Sequence, residues 1–285
     1  MSIPPSTSNP HQRTKTISSA SFTLLGAVIS LMALVPIIWV IMSALKDRGR
    51  VIENPLGLPD VWHWENLLIA WTDGHFGRYF LNSILVVIPV VITVLVFGML
   101  AAYAFALMSF RGKNALFILF LAGMTIPLSV LIIPLFYEML ALDLLNSIWS
   151  LILPQIAISL PFSILLLHGF IKELPKEILD AGLIDGCTRW GLLRYIVAPL
   201  SRPALLSLLI FNFMWTWNNF ILPIILIQKD SARTLPVGLN FFQGQYVTDV
   251  PLLMAGATIT FMPVLLVYII FQRHFITGIA AGSIK

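Results

Sequence analysis

Charge is scarce in this sequence. Lys, Arg, Asp and Glu make up 11% of its 285 residues while 58% are hydrophobic, and the mean hydropathy is +0.92. A soluble domain is roughly half apolar and a quarter charged. A globular core cannot hide this much apolar surface, so lipid must be the solvent. Cysteine is scarcer still. Cys187 stands alone, which excludes an intrachain disulfide and a cysteine-rich metal site. The chain has no GxxxxGK[ST] loop, so it does not bind ATP in the Walker manner. It has neither HExxH nor GxSxG, so no metal- or serine-hydrolase set is expected, and no catalytic or metal-ligating residue is assigned. There is no internal repeat. The pI near 9.3 comes from dispersed basic residues with no basic groove motif, which argues against nucleic acid as a partner.

What is present is a series of long apolar runs. A helix needs about 20 mostly apolar residues to cross the hydrocarbon core. Six stretches qualify, roughly 22–45, 79–108, 115–138, 148–170, 203–228 and 252–272. Backbone polar groups cannot stay unpaired in lipid, and the runs are too long for barrel strands, so the spans are predicted to be helices. The predicted fold is an all-α membrane protein with six transmembrane helices in one bundle over 21–285. Residues 1–20, rich in Ser, Thr and Pro, read as a disordered tail. The first span lacks a small-residue cleavage site and reads as a retained helix.

Direction follows from Lys and Arg. With the N-terminus in the cytoplasm, 11 of the 17 basic residues fall on inside segments. The exceptions are Lys46, Arg48, Arg50, Arg78, Lys229 and Arg233. The bias favours both termini in the cytoplasm, with Lys46, Arg48 and Arg50 opposing it. No Asp, Glu, Lys or Arg lies deep inside a span, which weakens a proton-coupled carrier. A sodium site built from carbonyls stays open, and so does an ion-coupled secondary carrier. Prolines inside the spans (Pro36, Pro89, Pro127, Pro134, Pro154, Pro161, Pro223 and Pro263) are either tolerated kinks or bends around a passage that opens and closes.

Between the fourth and fifth spans the apolar pattern breaks over 171–202. Pro175 suits a first helical turn, with Glu177 and Asp180 where the helix dipole favours acids. Asp185-Gly186 is a turn signal and Thr188 an N-cap for a second short helix. Leu192, Leu193, Ile196 and Val197 form its apolar face, with Arg189 and Arg194 elsewhere, and Pro199 and Pro203 end it. This helix–turn–helix either docks a partner or lies on headgroups. In the fifth span Asn212, Trp215 and Asn219 share a helical face, beside Asn218. Their amides and aromatic ring suit sugar hydroxyls and ring faces, or serve interhelical packing. Asn82 on the second span is a further candidate.

The break resembles the cytoplasmic pattern of ABC-importer permeases: Glu-Ala-Ala, three residues, Gly, nine residues, Ile-x-Leu-Pro. Asp180-Ala181-Gly182, Gly186 and Ile196-Val197-Ala198-Pro199 fall at those spacings. Asp180, Gly182 and Ala198 depart from its letters, and Gly182 should cost the helix about 1 kcal/mol relative to Ala, softening this segment. "FMWTWNNFILPIIL" and "FQRHFITGIAAGSIK" are similar to further segments of carbohydrate importers of the maltose type, second permease. The resemblance implies the type I importer fold, a bacterial inner-membrane location and a sugar-like solute. It implies a sister permease in a heterodimer, two ATP-binding subunits that hold ATP and Mg, and an external solute-binding protein, with no cofactor on this chain. Glu177, Asp180, Ala181, Gly182, Asp185, Gly186, Thr188, Arg189, Trp190 and Arg194 would couple to an ATPase. Gly278, Gly282 and Ser283 would touch it from the C-terminal tail, and the loop from Lys229 to Val250 would reach the binding protein.

Overall fold

The computed structural model describes residues 10–243 and 248–283, with side chains over 21–243 and 248–272. The first helix, α1 (Pro10–Ala44), covers part of the stretch predicted to be a disordered tail. No Gly or Pro interrupts 11–25, so once the span is helical each added residue costs little. Residues 1–9 lie outside the described ones. Two short helices follow, α2 (Arg48–Glu53) and α3 (Glu65–Thr72), and then a long apolar helix, α4 (Phe76–Leu107).

The third run differs from its predicted form. It is not one helix over 115–138 but two, α5 (Lys113–Gly123) and α6 (Leu128–Ala141), bent by 97°. Pro127 is the physical reason. It sits before α6 at φ −68° and ψ 141°, and proline keeps its preceding residue out of the helical region. At 1.5 Å per residue, each half is only roughly 16–21 Å long, short of a full crossing. Helix α7 (Trp149–Lys172) completes the fourth run.

After α7 come α8 (Lys176–Ile184), α9 (Arg189–Leu192), a π-helical turn over Leu193–Val197 and α10 (Ala198–Leu200). The fifth run, predicted as continuous, is also interrupted: α11 (Arg202–Trp217) and α12 (Ile221–Leu226) are separated at 218–220. The amide of Leu222 donates to Asn219 Oδ1 at 3.1 Å, so Asn219 starts the new helix. A single turn, α13 (Leu235–Gly238), precedes α14 (Val250–Ser283). Among the described residues five helical stretches are long and apolar enough to cross a membrane, α11 with α12 counted as one, and six if the bent pair also counts as one.

The centre of the bundle is α4 on α7. Val86, Val90 and Val94 pack with Leu151 and Ile152. Further along, a Cβ built at Gly98 would stand 3.3 Å from Ser163 Cβ, so glycine lets the two backbones approach. Ala44 at the end of α1 packs with Phe76 at the start of α4, and Trp217 and Ala255 join them. This is the loop end of the bundle. At the other end Met99, Ala102 and Tyr103 of α4 meet Leu167 and Ile171 of α7. Leu24, Leu31 and Val35 of α1 are exposed, as a lipid- or partner-facing helix requires.

Candidate functional site

The elbow from Pro175 to Ser201 is built from local chemistry. Pro175 precedes α8 at φ −57°, as its ring dictates. The far end of α8 closes with two bonds. Cys187 N–H donates to Gly182 O at 3.0 Å, and Gly186 N–H to Leu183 O at 3.1 Å. These are the paired bonds of a Schellman end, and they require a left-handed residue between them. Gly186 supplies it at φ +82°. Thr188 then caps α9, its Oγ1 accepting from Gly191 N–H at 3.1 Å.

The second arm is anchored, as its apolar face predicts. Leu192, Leu193 and Val197 are buried and pack with Leu179 of α8 against α4, α7 and Ala204 and Leu208 of α11. The second arm ends at Leu200, between prolines 199 and 203, as expected. They stand near the starts of α10 and α11, where a missing N–H is tolerated. Upstream, Ala198 N–H reaches five residues back to Leu193 O, which widens the helix into the π turn.

Gly182 also reads differently in place. A Cβ there would meet Ile196 Cδ1 at 2.4 Å and Leu192 Cδ1 at 3.2 Å. The glycine lets α8 lie close on the side chains of the second arm, a packing role that its helix propensity does not announce. Tyr103 adds a tie that no motif announced: its hydroxyl donates to Arg189 O at 2.8 Å, joining α4 to the start of α9. The two residues lie 86 positions apart, so no local pattern pairs them.

One side of the elbow therefore faces the bundle, and the other is open. Ile184 at the tip is 85% exposed, with Ile178 and Leu183 also exposed beside Glu177, Asp180 and Asp185. Ala181, Thr188 and Arg189 are exposed as well. Trp190 and Arg194 instead line a groove against α4 and α11. Among the described residues none of Arg189, Arg194 and Arg202 forms an ion pair.

The structure separates the predicted polar path. Asn82 is at the loop end, where its Nδ2 donates to Ser231 O at 2.9 Å and Arg233 O at 2.8 Å. It clasps a loop and does not line the bundle. Asn218 bonds back to Met214 O, and Asn219 caps α12. Asn212 is buried, its Nδ2 donating to Leu208 O at 2.9 Å and, across helices, to Ser163 Oγ at 3.3 Å. Only Asn212 and Trp215 stand together, around a cavity of about 30 Å³ with Ser159, Phe162 and Phe211. That is room for a water-sized guest. Trp215 is otherwise exposed. Gly278, Gly282 and Ser283 belong to the backbone of α14, and their side chains lie outside the described residues.

A polytopic helical bundle with a rigid elbow between its fourth and fifth runs defines a membrane subunit of the importer class. The family described as the binding-protein-dependent transport system inner membrane component matches residues 94–280, and this chain belongs to it. It is 37% identical over 258 residues to the diacetylchitobiose uptake system permease protein NgcG of Streptomyces coelicolor, covering 90% of this chain and 85% of that protein. It is 32% identical over 278 residues to the arabinooligosaccharides transport system permease protein AraQ of Halalkalibacterium halodurans, covering 96% and 99%. A crystal structure of a bacterial ABC transporter that imports the acidic polysaccharide alginate contains a chain of the same fold. Its TM-score is 0.77 at 22% identity, covering 95% of this chain and 100% of that one. The chain is thus a multi-pass inner-membrane permease subunit of an ABC importer with the type I fold, and not itself an enzyme. The ion-coupled carrier gives way to this reading.

Proposed function

We propose that this permease passes a carbohydrate of a few sugar units and is driven through its elbow by a partner ATPase. The elbow end, with both termini, faces the cytoplasm. The open face of α8 enters a cleft of one of two ATP-binding subunits, which hold ATP and Mg; this chain carries no cofactor. A sister permease completes the passage as a heterodimer. The outer loop from Lys229 to Val250 meets an external solute-binding protein. Support for the carbohydrate comes from the names of the relatives, and for the binding protein from an alginate importer solved with its pentasaccharide-bound periplasmic protein.

One observation carries the coupling. Ile184 and Leu183 are held outward at the tip of a turn whose other side is locked into α4, α7 and α11. A rigid mount under an exposed apolar tip transmits force, whereas a floppy loop would absorb it. Glu177, Asp180, Ala181, Asp185, Thr188 and Arg189 surround the tip, Gly182 and Gly186 set its shape, and Trp190 and Arg194 form its flank. ATP-driven closure displaces the tip and shifts the bundle between two access states. Gly278, Gly282 and Ser283 add a second ATPase contact. Trp215 offers its ring to the passage, with Asn212 holding the helix behind it.

The test is Gly186→Leu. No atom lies within 4 Å of a Cβ at this site, so the penalty is the left-handed backbone and not crowding. The variant is expected to insert and to lose uptake while ATP hydrolysis no longer follows the solute-binding protein. Normal uptake would overturn the coupling reading.

A further inference from the structure

The segment that joins α2 to α3 is too apolar for a loop in water. Residues 55–64 read Pro-Leu-Gly-Leu-Pro-Asp-Val-Trp-His-Trp, with Asp60 the single acid and no Lys or Arg. Its height is set by hydrogen bonds to the end of α1. Trp39 Nε1 donates to Pro55 O at 2.9 Å, and Lys46 Nζ reaches the same carbonyl at 3.1 Å. Trp39 stands roughly 7.5 Å before Ala44 at 1.5 Å per residue, and helical side chains lean further toward the N-terminus. Pro55 therefore lies beside the last turns of a membrane-spanning helix and not beyond its end. The other end of the segment is tied as well: His63 N–H donates to Leu45 O at 3.0 Å, and Asn66 Nδ2 to Ala44 O and Lys46 O at 2.9 Å each. Between these ties Gly57 N–H donates to Asn54 Oδ1 at 2.9 Å and Pro59 is buried, while Leu56 and Leu58 are 85% and 70% exposed. Trp62 and Trp64 are also exposed, their rings stacked with centroids 6.1 Å apart. The polar groups are answered locally. Asp60 pairs with Arg50, and His63 Nδ1 lies 2.6 Å from Glu65 Oε1.

We propose that this segment is an interfacial anchor seated in the lipid surface at the loop end, with Leu56 and Leu58 at the acyl boundary and Trp62 and Trp64 among the headgroups. Height argues for lipid as the occupant. A water-soluble protein approaching from outside stops where α1 leaves the membrane, whereas Leu56 follows a residue fixed beside the turns below that point. Ile37 and Ile38 of α1, next to Trp39, are exposed too, so the leucines continue an apolar flank that a span presents to lipid. Indoles are favoured at headgroup level. Because Arg50 and Asp60 answer each other, no headgroup of one sign is required and a zwitterionic lipid suffices. The anchor fixes the height of α1 in the membrane and, through Asn66, that of α3. It rests on the chain's crossing a membrane and not on the coupling reading.

The experiment uses the complete transporter in phosphatidylcholine nanodiscs, freed of its other cysteines (Cys187→Ser in this chain). A bimane label is placed at Leu56→Cys or Leu58→Cys, with Asp73→Cys as an exposed reference at the same end. The quenchers are phosphatidylcholine with a nitroxide near the top of its acyl chain, and iodide in the water. Labels at 56 and 58 are expected to be quenched several-fold more by the lipid nitroxide than the label at 73, and several-fold less by iodide. Iodide that reaches 56 and 58 as readily as 73 overturns the proposal. So does shielding from both quenchers, which would mean that the sister permease or another protein covers the segment. Trp62→Ser with Trp64→Ser is expected to raise iodide quenching at 58 toward the reference while the complex stays assembled, and unchanged quenching overturns the part given to the indoles. The readout is contact with lipid and not uptake, so failure here leaves the coupling reading standing.

Discussion

The two ends of this molecule treat charge in opposite ways. At the loop end nearly every polar group described above is answered from within the chain. Arg48 Nε donates to Asp249 at 2.9 Å, and Arg50 pairs with Asp60. Lys46 is 2% exposed, its Nζ donating to Asn54 O and Pro55 O at 2.8 and 3.1 Å. The Tyr79 hydroxyl donates to Asp230 Oδ1 at 2.6 Å, and Asn146 Oδ1 accepts from the amides of Gln228 and Lys229 at 2.6 and 2.8 Å. At the elbow end Arg189, Arg194 and Arg202 have no acid partner among the described residues, and Ile178, Leu183 and Ile184 face outward. The loop end is thus a cap whose charges are answered from within. The difference lies in charge and not in apolar exposure, since Ile52, Leu56 and Leu58 at the loop end are exposed as well.

The contrast also takes in the exception to the charge bias. Lys46, Arg48 and Arg50 oppose the direction given by the other basic residues. All three are held by carbonyls or carboxylates of the same chain.

The comparison can be broken from either end. The largest effect is expected at the elbow tip. Ile184→Asp puts a carboxylate into the proposed docking cleft, and should weaken ATPase association by about 2–3 kcal/mol, a loss of roughly 30- to 150-fold. Co-purification of the ATPase with the permease pair measures it, and unchanged association would make the elbow as self-contained as the cap. Asn146→Ala comes next. It strips one acceptor from two amides at the loop end and places a β-carbon at φ +62° without the amide that favours that region. It should destabilise the fold by about 1–3 kcal/mol, seen as a lower melting temperature of the assembled complex, with little change in ATPase affinity.

Tyr103→Phe removes only the bond to Arg189 O and should cost about 1 kcal/mol. Uptake is expected to fall a few-fold with expression unchanged, because the mount under α9 loosens while the tip stays intact. Equal uptake would mean that the apolar anchor alone suffices. The smallest effect is a pH response confined to the cap. The Asp47 carboxyl is held below its ordinary range, first by the Arg50 amide, and Glu65 by its hydrogen bond to His63. Groups lowered in this way stabilise the fold above the usual carboxylate range and lose that contribution as pH falls through their lowered values. Hydrogen-exchange protection factors near α2 and α3 should therefore fall on acidification before those in α8 do.

Much of this architecture is legible in the sequence because lipid imposes a simple rule. Long runs without charge became helices, and the elbow's punctuation is local: Pro175, Gly186 and Thr188 each act within a few residues of themselves. The break in the third run was written in Pro127, but a proline inside an apolar run reads equally as a kink. What stayed hidden depends on partners far along the chain. Asn82 looked like a lining residue because it sits in a span, yet its partners are Ser231 and Arg233. Tyr103 gave no sign of its hold on Arg189. Asn212 has its cross-helix partner in Ser163, 49 positions away, which no local pattern pairs with it.

Gly98 has a mechanical result. With Ser163 Cβ only 3.3 Å from where its own Cβ would be, α4 and α7 meet with no side chain to act as a cushion, and prising them apart would leave a gap that nothing nearby can refill. A larger residue at 98 would have to push one of the two backbones aside, so this contact sets how closely α4 and α7 lie.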